Sequence, residues 1–352
     1  MTGRGRLRLE RLVSVLALCL AAQGARAEVK TGPVLMHWGP CEASGAVPYP
    51  AGSFGDRFLV VDDEDNTLRL YKADESGPPL ALKGGDLDAA LATGGREEPA
   101  KADLESLAWL GNDLVLMGSH ARDKNGRTRE ASRQMLALSV GGDAKAPQVK
   151  APEVTPKGKA FTGLAKAIAD LDPRLSERIA VDLAEKASLS PKRRGLAIEG
   201  LSPMPDGRGL FVGLRNPLNA DNDALVVPFE NAAEALASGA APKLAKPIAL
   251  DLKGRGIRDI AYVPGIKAYF LIAGGSGSGG EAADLYRWSG TAGEAPTRVA
   301  GVAEALAALP DFQPEGLIVS ADGKTVQVIS DDGDVCPARK PQGFRSVVLD
   351  LE

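Results

Sequence analysis

One pattern recurs five times along this chain of 352 residues. An acidic residue opens a short apolar run, a tight turn follows, and a second apolar run ends in polar residues. The copies begin "CEASGAVPYPAGSFGDRFLVVDD", "LESLAWLGNDLVLMGSHAR", "IEGLSPMPDGRGLFVGLRN", "IRDIAYVPGIKAYFLIAGG" and "PEGLIVSADGKTVQVISDD". Their acids are Glu42, Glu105, Glu199, Asp259 and Glu315. Gly111-Asn112, Asp206-Gly207, Pro264-Gly265 and Asp322-Gly323 supply hairpin turns. The second runs, such as "FLVV" and "YFLIA", are short and wholly apolar, which suits strands buried on both faces. Third runs such as "TLRLY" and "DLYRW" alternate, as outer strands do. Fourth strands are expected in "PPLAL", "KPIAL" and "TRVA".

A repeated meander of about four strands is a propeller blade. The fold class is therefore all-β, a β-propeller, with a β-sandwich or two-domain β protein as the competing architecture. The blades start near residues 41, 104, 198, 258 and 314. The acids are 63, 94, 60 and 56 residues apart. The long interval is an insertion over about 145–195 or a hidden sixth blade, and five blades fit better. Leu164, Ala167, Ile168 and Leu171 recur at helical spacing there, so a helical insertion is expected around 160–188. A Pro/Lys-rich loop should precede it at Ala146–Lys159.

The first strand of every blade lines the axis of a propeller. The five acids should therefore ring one mouth of the channel. The ends of the second strands should lie just outside them: Asp62-Asp63, Ser119-His120 with Arg122, Arg215-Asn216, Gly274-Gly275 and Ser330-Asp331-Asp332. Carboxylates so placed repel one another unless a cation or hydrogen bonds compensate. Hard oxygen ligands suit Ca²⁺, or Mg²⁺. Glu42, Glu105, Glu199, Asp259 and Glu315 are thus candidate metal ligands. The alternative is that each acid accepts backbone N–H bonds from the next blade and locks the ring. Glu199 and His120 are candidate catalytic groups. Arg122, Arg215, Asn216, Asp62 and Asp331 are candidate substrate contacts.

"DDEDN" (Asp62–Asn66) lacks the glycine and distal glutamate of an EF-hand loop and reads as a blade loop that contributes one or two ligands, and no Gly-Lys-Ser/Thr follows "GGSGSGG" as a P-loop requires, so that stretch reads as a rim loop. His120 beside Ser119 is not a triad, because neighbours in a strand point opposite ways. "SPKRRG" reads as a solvated loop.

Residues 1–27 read as a signal peptide. Arg4, Arg6, Arg8 and Arg11 precede an apolar run too short to span a bilayer, and "ARA" offers a cleavage site. Residues 28–352 then form one exported domain, periplasmic or secreted, with no membrane span. Two cysteines remain near opposite ends of that domain. Blades one and five meet when the ring closes, so Cys41 and Cys336 should form a disulfide there, two free buried thiols being the alternative. The net charge is −4 with scattered basic residues, which excludes a nucleic-acid footprint. A monomer is expected.

"LESLAWLGNDLVLMGSHARDKNGR", "IEGLSPMPDGRGLFVGLRNP" and "FLVVDDEDNTLRLY" together resemble the bacterial family of domain of unknown function 3616, over almost the whole mature chain. That resemblance implies an exported, propeller-like protein. More distantly, the repeat is similar to five-bladed calcium-activated nucleotidases and propeller phytase-like proteins. There, mouth acids hold calcium and basic side chains engage phosphates. The likeness implies metal at Glu42, Glu105, Glu199, Asp259 and Glu315, and an anion at Arg122 and Arg215. Two functions follow: a metal-dependent hydrolase of phosphate esters or similar small anions, or a non-catalytic propeller that binds a small anionic ligand or protein partner at the same face. Whether the chain is an enzyme is left open.

Overall fold

Each apolar run becomes a strand, and each Gly- or Asp-rich pair between runs becomes a turn. A computed structural model of the chain describes residues 29–91, 100–141, 151–191, 195–277 and 282–351. The expected signal peptide, the middle of "SPKRRG" and the last three residues of "GGSGSGG" lie outside them. Strand β1 (Lys30–Trp38) precedes the first repeat. Blade one is β2 (Ala43–Tyr49), β3 (Arg57–Asp62) and β4 (Arg69–Lys72). Blade two is β5 (Leu104–Leu110), β6 (Asp113–Gly118), β7 (Met135–Gly141) and β8 (Glu153–Phe161). Blade three is β9 (Ala197–Pro203), β10 (Leu210–Asn216), β11 (Ala224–Phe229) and β12 (Ile248–Leu250). Blade four is β13 (Gly256–Val263), β14 (Ala268–Gly274), β15 (Asp284–Trp288) and β16 (Thr297–Arg298). Blade five takes β17 (Gln313–Val319), β18 (Thr325–Asp331) and β19 (Gly343–Asp350) from the chain's end.

The inner strands pack in a closed cycle: β2 on β5, β5 on β9, β9 on β13, β13 on β17 and β17 on β2. That cycle makes five blades and leaves no place for a sixth. The approach at the axis is tight. A Cβ at Gly45 would stand 2.7 Å from the Glu105 carbonyl of the next blade, so only glycine fits there.

The long interval holds what the sequence suggested and one thing it did not. Helices α1 (Leu164–Ala169) and α2 (Pro173–Ile179) form the insertion. Their buried faces join the core between blades two and three, together with α3 (Ala232–Ser238). Glu153–Phe161, however, is a strand, where a Pro/Lys-rich loop was expected. β7 offers an unpaired edge, and β8 fills it in antiparallel register from Gly141–Glu153 to Met135–Phe161. In blade one the expected fourth strand is reduced to a single bridge, Leu70 to Leu80. Helix α4 (Val302–Ala307) packs on blade four.

Each interface between blades has its own apolar cluster. The one between blades five and one is the smallest and is rich in aromatic side chains. This interface closes the ring. β1 pairs antiparallel with β19, from Lys30–Asp350 to Trp38–Gly343, so the first strand completes the last blade. The Cys41–Cys336 disulfide lies at the same seam, beside a bond from the Asp332 N–H to the Cys41 carbonyl. On β1, His37 is fully buried. Its ring lies 5.1, 5.4 and 5.0 Å from the rings of Phe58, Tyr71 and Phe344, and its Nε2 meets Ser346 Oγ at 2.8 Å. Burial pushes its pKa down to about 4.

Two predictions follow from this closure. The double variant Cys41→Ser/Cys336→Ser should lose about 2–5 kcal/mol in urea denaturation, because the bond closes a very long loop. Amides of β1 should then exchange hydrogen faster than those of β17. The imidazole titrates near 6.5 in the unfolded chain and near 4 in the fold. The unfolded chain therefore binds more protons in that window, and stability from His37 is full above it and lost as pH falls. The stability difference between wild type and His37→Gln should shrink by about 3 kcal/mol from pH 6.5 to 4.

Candidate functional site

Every inner strand carries a β-bulge near its first residues. The pairing register skips at Ser44, Glu105, Glu199, Arg258 and Glu315 in blades one to five. A bulge re-aims its side chain, and these five positions form the ring at the mouth. Two expected members are thereby displaced. In blade one the ring residue is Ser44, and Glu42 stands two residues earlier. In blade four it is Arg258, and Asp259 falls on the following position. A shift of one residue in a strand reverses the side chain. Asp259 is fully buried with both oxygens engaged, by the Ile260 and Leu317 N–H groups at 2.7 Å each. Burial raises its pKa well above the carboxylate range. It fastens blade four to blade five and holds no metal at the mouth.

Arg258 changes the electrostatics of half the ring. Its Nε lies 3.0 Å from Glu199 Oε2, and its Nη2 pairs with Glu315 Oε1. Arg215 adds Nη1 to Glu199 Oε1 at 2.8 Å and donates Nε to the Gly275 carbonyl at 3.1 Å. Two buried glutamates thus meet two guanidinium groups. Such a set holds only while every charge keeps its partner. Glu199 and Glu315 are neutralised by the protein itself, and neither is a free base or an open ligand.

Blades one and two differ. Ligand atoms of Asp63, Asp103 and Glu105 lie within 4.8 Å of one another, and so do those of Glu42, Asp63 and Glu64. Burial, then a hydrogen bond donated by its protonated form to Glu42 and repulsion by Glu42, push Asp63 up to about 9. Burial and the neighbouring Glu199, Asp103 and Asp63 raise Glu105 well above the carboxylate range. Asp331 and Asp62 each rise to about 6, burial being the main cause. The local compensation is partial. Arg129 Nη1 meets Asp103 Oδ1 at 3.0 Å, Ser119 donates to Asp103 Oδ2, and Lys101 pairs with Glu64. Among the described residues, Asp63 Oδ1 is buried without a hydrogen-bond partner. A cavity of about 610 Å³ opens over these groups, lined also by Lys124, Arg129 and Arg215. Clustered hard oxygens with one orphaned atom fit a divalent cation.

The remaining expected residues have other work. His120 adopts φ +55, is fully buried, and places Nδ1 2.9 Å from the Gly118 carbonyl. It is absent from the cavity lining, and burial lowers its pKa to about 4. Arg122 borders the cavity, but its terminal nitrogens donate to Gly126 O, Thr128 Oγ1, Ile179 O and Ala180 O at 3.1, 2.9, 3.3 and 2.7 Å. It ties the 123–128 turn to the end of α2. Asn216 donates to the Pro191 carbonyl at 2.8 Å. Asp62 accepts the N–H groups of Glu42 and Glu64 at 3.0 and 2.9 Å. Asp331 accepts that of Gly333 at 2.8 Å. The sequence reading did not include Asp103, which lies just before β5 with φ +54, and the bulge at Glu105 turns that side chain toward it.

The fold and site define a five-bladed β-propeller with a carboxylate-lined cavity at one mouth. The chain belongs to the family described as "Protein of unknown function (DUF3616)", whose model matches residues 53–315. No curated protein matches it. Among solved structures it is similar to the PQQ-bound aldose sugar dehydrogenase of Streptomyces coelicolor, at 14% identity and TM-score 0.44, covering 92% of this chain and 98% of that one. It is also similar to a chain of a nidogen/laminin complex, at 9% identity and TM-score 0.36, covering 82% and 72%. A chain of a mitotic checkpoint complex matches at 13% identity and TM-score 0.36, covering 95% and 98%.

Arg258→Gln should destabilise the fold by about 3–5 kcal/mol in urea denaturation, since it strands Glu315 and half of Glu199 without a counter-charge. Adding Glu315→Gln should recover part of that loss. A loss under about 1 kcal/mol would mean that Arg258 does not neutralise the ring.

Proposed function

We propose that the mouth cavity at blades one and two binds a divalent cation, Ca²⁺ by its ligand set, and that the protein is an exported metal-dependent hydrolase of phosphate esters or similar small anions. One observation carries the reading. The same ring that neutralises Glu199 and Glu315 with Arg258 leaves Asp63 and Glu105 converging on Asp103, and of the three only Asp103 has an ion pair among the described residues, with Arg129. An irregular carboxylate cluster in a roomy cavity suits Ca²⁺ better than Mg²⁺, which demands near-octahedral ligands. A bound cation would polarise a water or an ester oxygen. Arg215 and Lys124 border the cavity and supply positive charge for an anionic group. Export agrees with the disulfide. Among the described residues no helix is long and apolar enough to cross a membrane.

A second reading is a non-catalytic propeller that binds an anionic ligand or a protein partner at this face. What favours it is the structural commitment of Glu199, Arg122 and His120.

Thermal melting at pH 7.5 with and without Ca²⁺ tests the cation site. Wild type should gain about 2.7 kcal/mol at a hundredfold excess over Kd, with release of protons. The folded pKa of Glu105 is raised, so its ionised form destabilises the metal-free protein at neutral pH. Glu105→Gln should therefore melt higher than wild type without metal and lose the calcium gain. No gain with Ca²⁺ or Mg²⁺ would overturn the site. Hydrolysis of p-nitrophenyl phosphate, abolished in Asp63→Asn and kept in His120→Ala, would separate the enzyme from the binding protein.

A further inference from the structure

Following each inner strand away from its bulge leads from the acidic mouth to a second cavity. It has a volume of about 510 Å³, and all five blades line it. This size is that of a small-molecule site. Its walls include Val47, Leu107, Trp109, Tyr262, Ile318 and Val319. No lysine, arginine, histidine or glutamate belongs to the lining, and its single carboxyl is Asp259. Both Asp259 oxygens are already engaged by backbone N–H groups. A charged guest would lose its hydration here and meet no counter-charge.

The polar features are few. The inner strands end their sheets, so each pairs on one side only and presents its other edge to the axis. Some edge groups are taken: the Pro48 carbonyl accepts from Trp109 Nε1 at 2.9 Å, and the Pro203 carbonyl accepts from the Tyr269 hydroxyl at 2.9 Å. Ser202, which lines the cavity, is fully buried. Its hydroxyl has no hydrogen-bond partner among the described residues. Folds seldom keep a buried hydroxyl unpaired.

We infer that this funnel is a second ligand site, distinct from the acidic mouth, for a small uncharged ring compound carrying one hydroxyl or similar polar group. The ring lies against Trp109 and Tyr262, and the polar group reaches the Ser202 hydroxyl. Arg258 with Glu199 and Glu315 stands between the two cavities, so the sites bind independently.

Isothermal titration of the full-length protein with 2-naphthol tests the inference. One saturable site is expected, with 2-naphthoate at least about tenfold weaker because of its charge. Ser202→Ala should weaken 2-naphthol about fivefold. Ala261→Phe should fill the funnel and weaken it more than about tenfold, and Asp63→Asn at the other mouth should change nothing. If Ala261→Phe fails to fold, Val319→Phe on blade five replaces it. Absence of saturable binding, equal affinity for 2-naphthoate, or full affinity in a folded filling variant would each overturn the inference.

Discussion

The antiparallel pairing of β1 with β19 is the contact on which the rest depends. A propeller is a closed cycle, and a cycle built from a linear chain must join its two ends somewhere. Here the join is one strand wide. The backbone ladder closes it, the aromatic packing around His37 fills it, and the Cys41–Cys336 bond keeps it from fraying. The same seam sets Glu42 beside Asp63, since Cys41 is its neighbour and the Asp63 N–H donates to its carbonyl. The geometry of the acidic mouth therefore depends on the closure.

Five near-identical inner strands would place five like charges on one axis. The chain avoids that in three ways. Blade one puts a serine at the bulge, and blade four an arginine. The arginine then reaches both neighbouring glutamates. Charge is balanced across blades three to five and concentrated at blades one and two. Pseudo-symmetry builds the ring, and its violation at two positions creates a site on one side of it.

The two mouths consequently offer opposite environments. One is rich in carboxylates with raised proton affinity and bordered by a few cations. The other is apolar, edged by backbone groups and aromatic rings. The ion-paired plug at the bulges separates them, so chemistry at one need not be felt at the other.

The repeat, the blade count, the helical insertion and the Cys41–Cys336 pairing were legible in the sequence by itself. Strand period, turn residues and compartment are local or compositional properties, and the ring closure follows from the count. Strand β1 was not legible, because a lone strand without its own turn carries no hairpin signal. β8 was hidden by its lysines and proline, which a solvent-facing outer strand tolerates. The site was legible only in outline. That acids gather at a mouth follows from the repeat. Which acids gather was decided by the bulges, since one extra residue reverses a side chain and places Arg258 where Asp259 was expected. Arg122 and Asn216 are polar residues near a mouth in the sequence, and only the tertiary structure brings them the Ile179, Ala180 and Pro191 carbonyl groups that occupy them. Only it buries His120 away from the cavity and leaves Asp63, Asp103 and Glu105 facing one another.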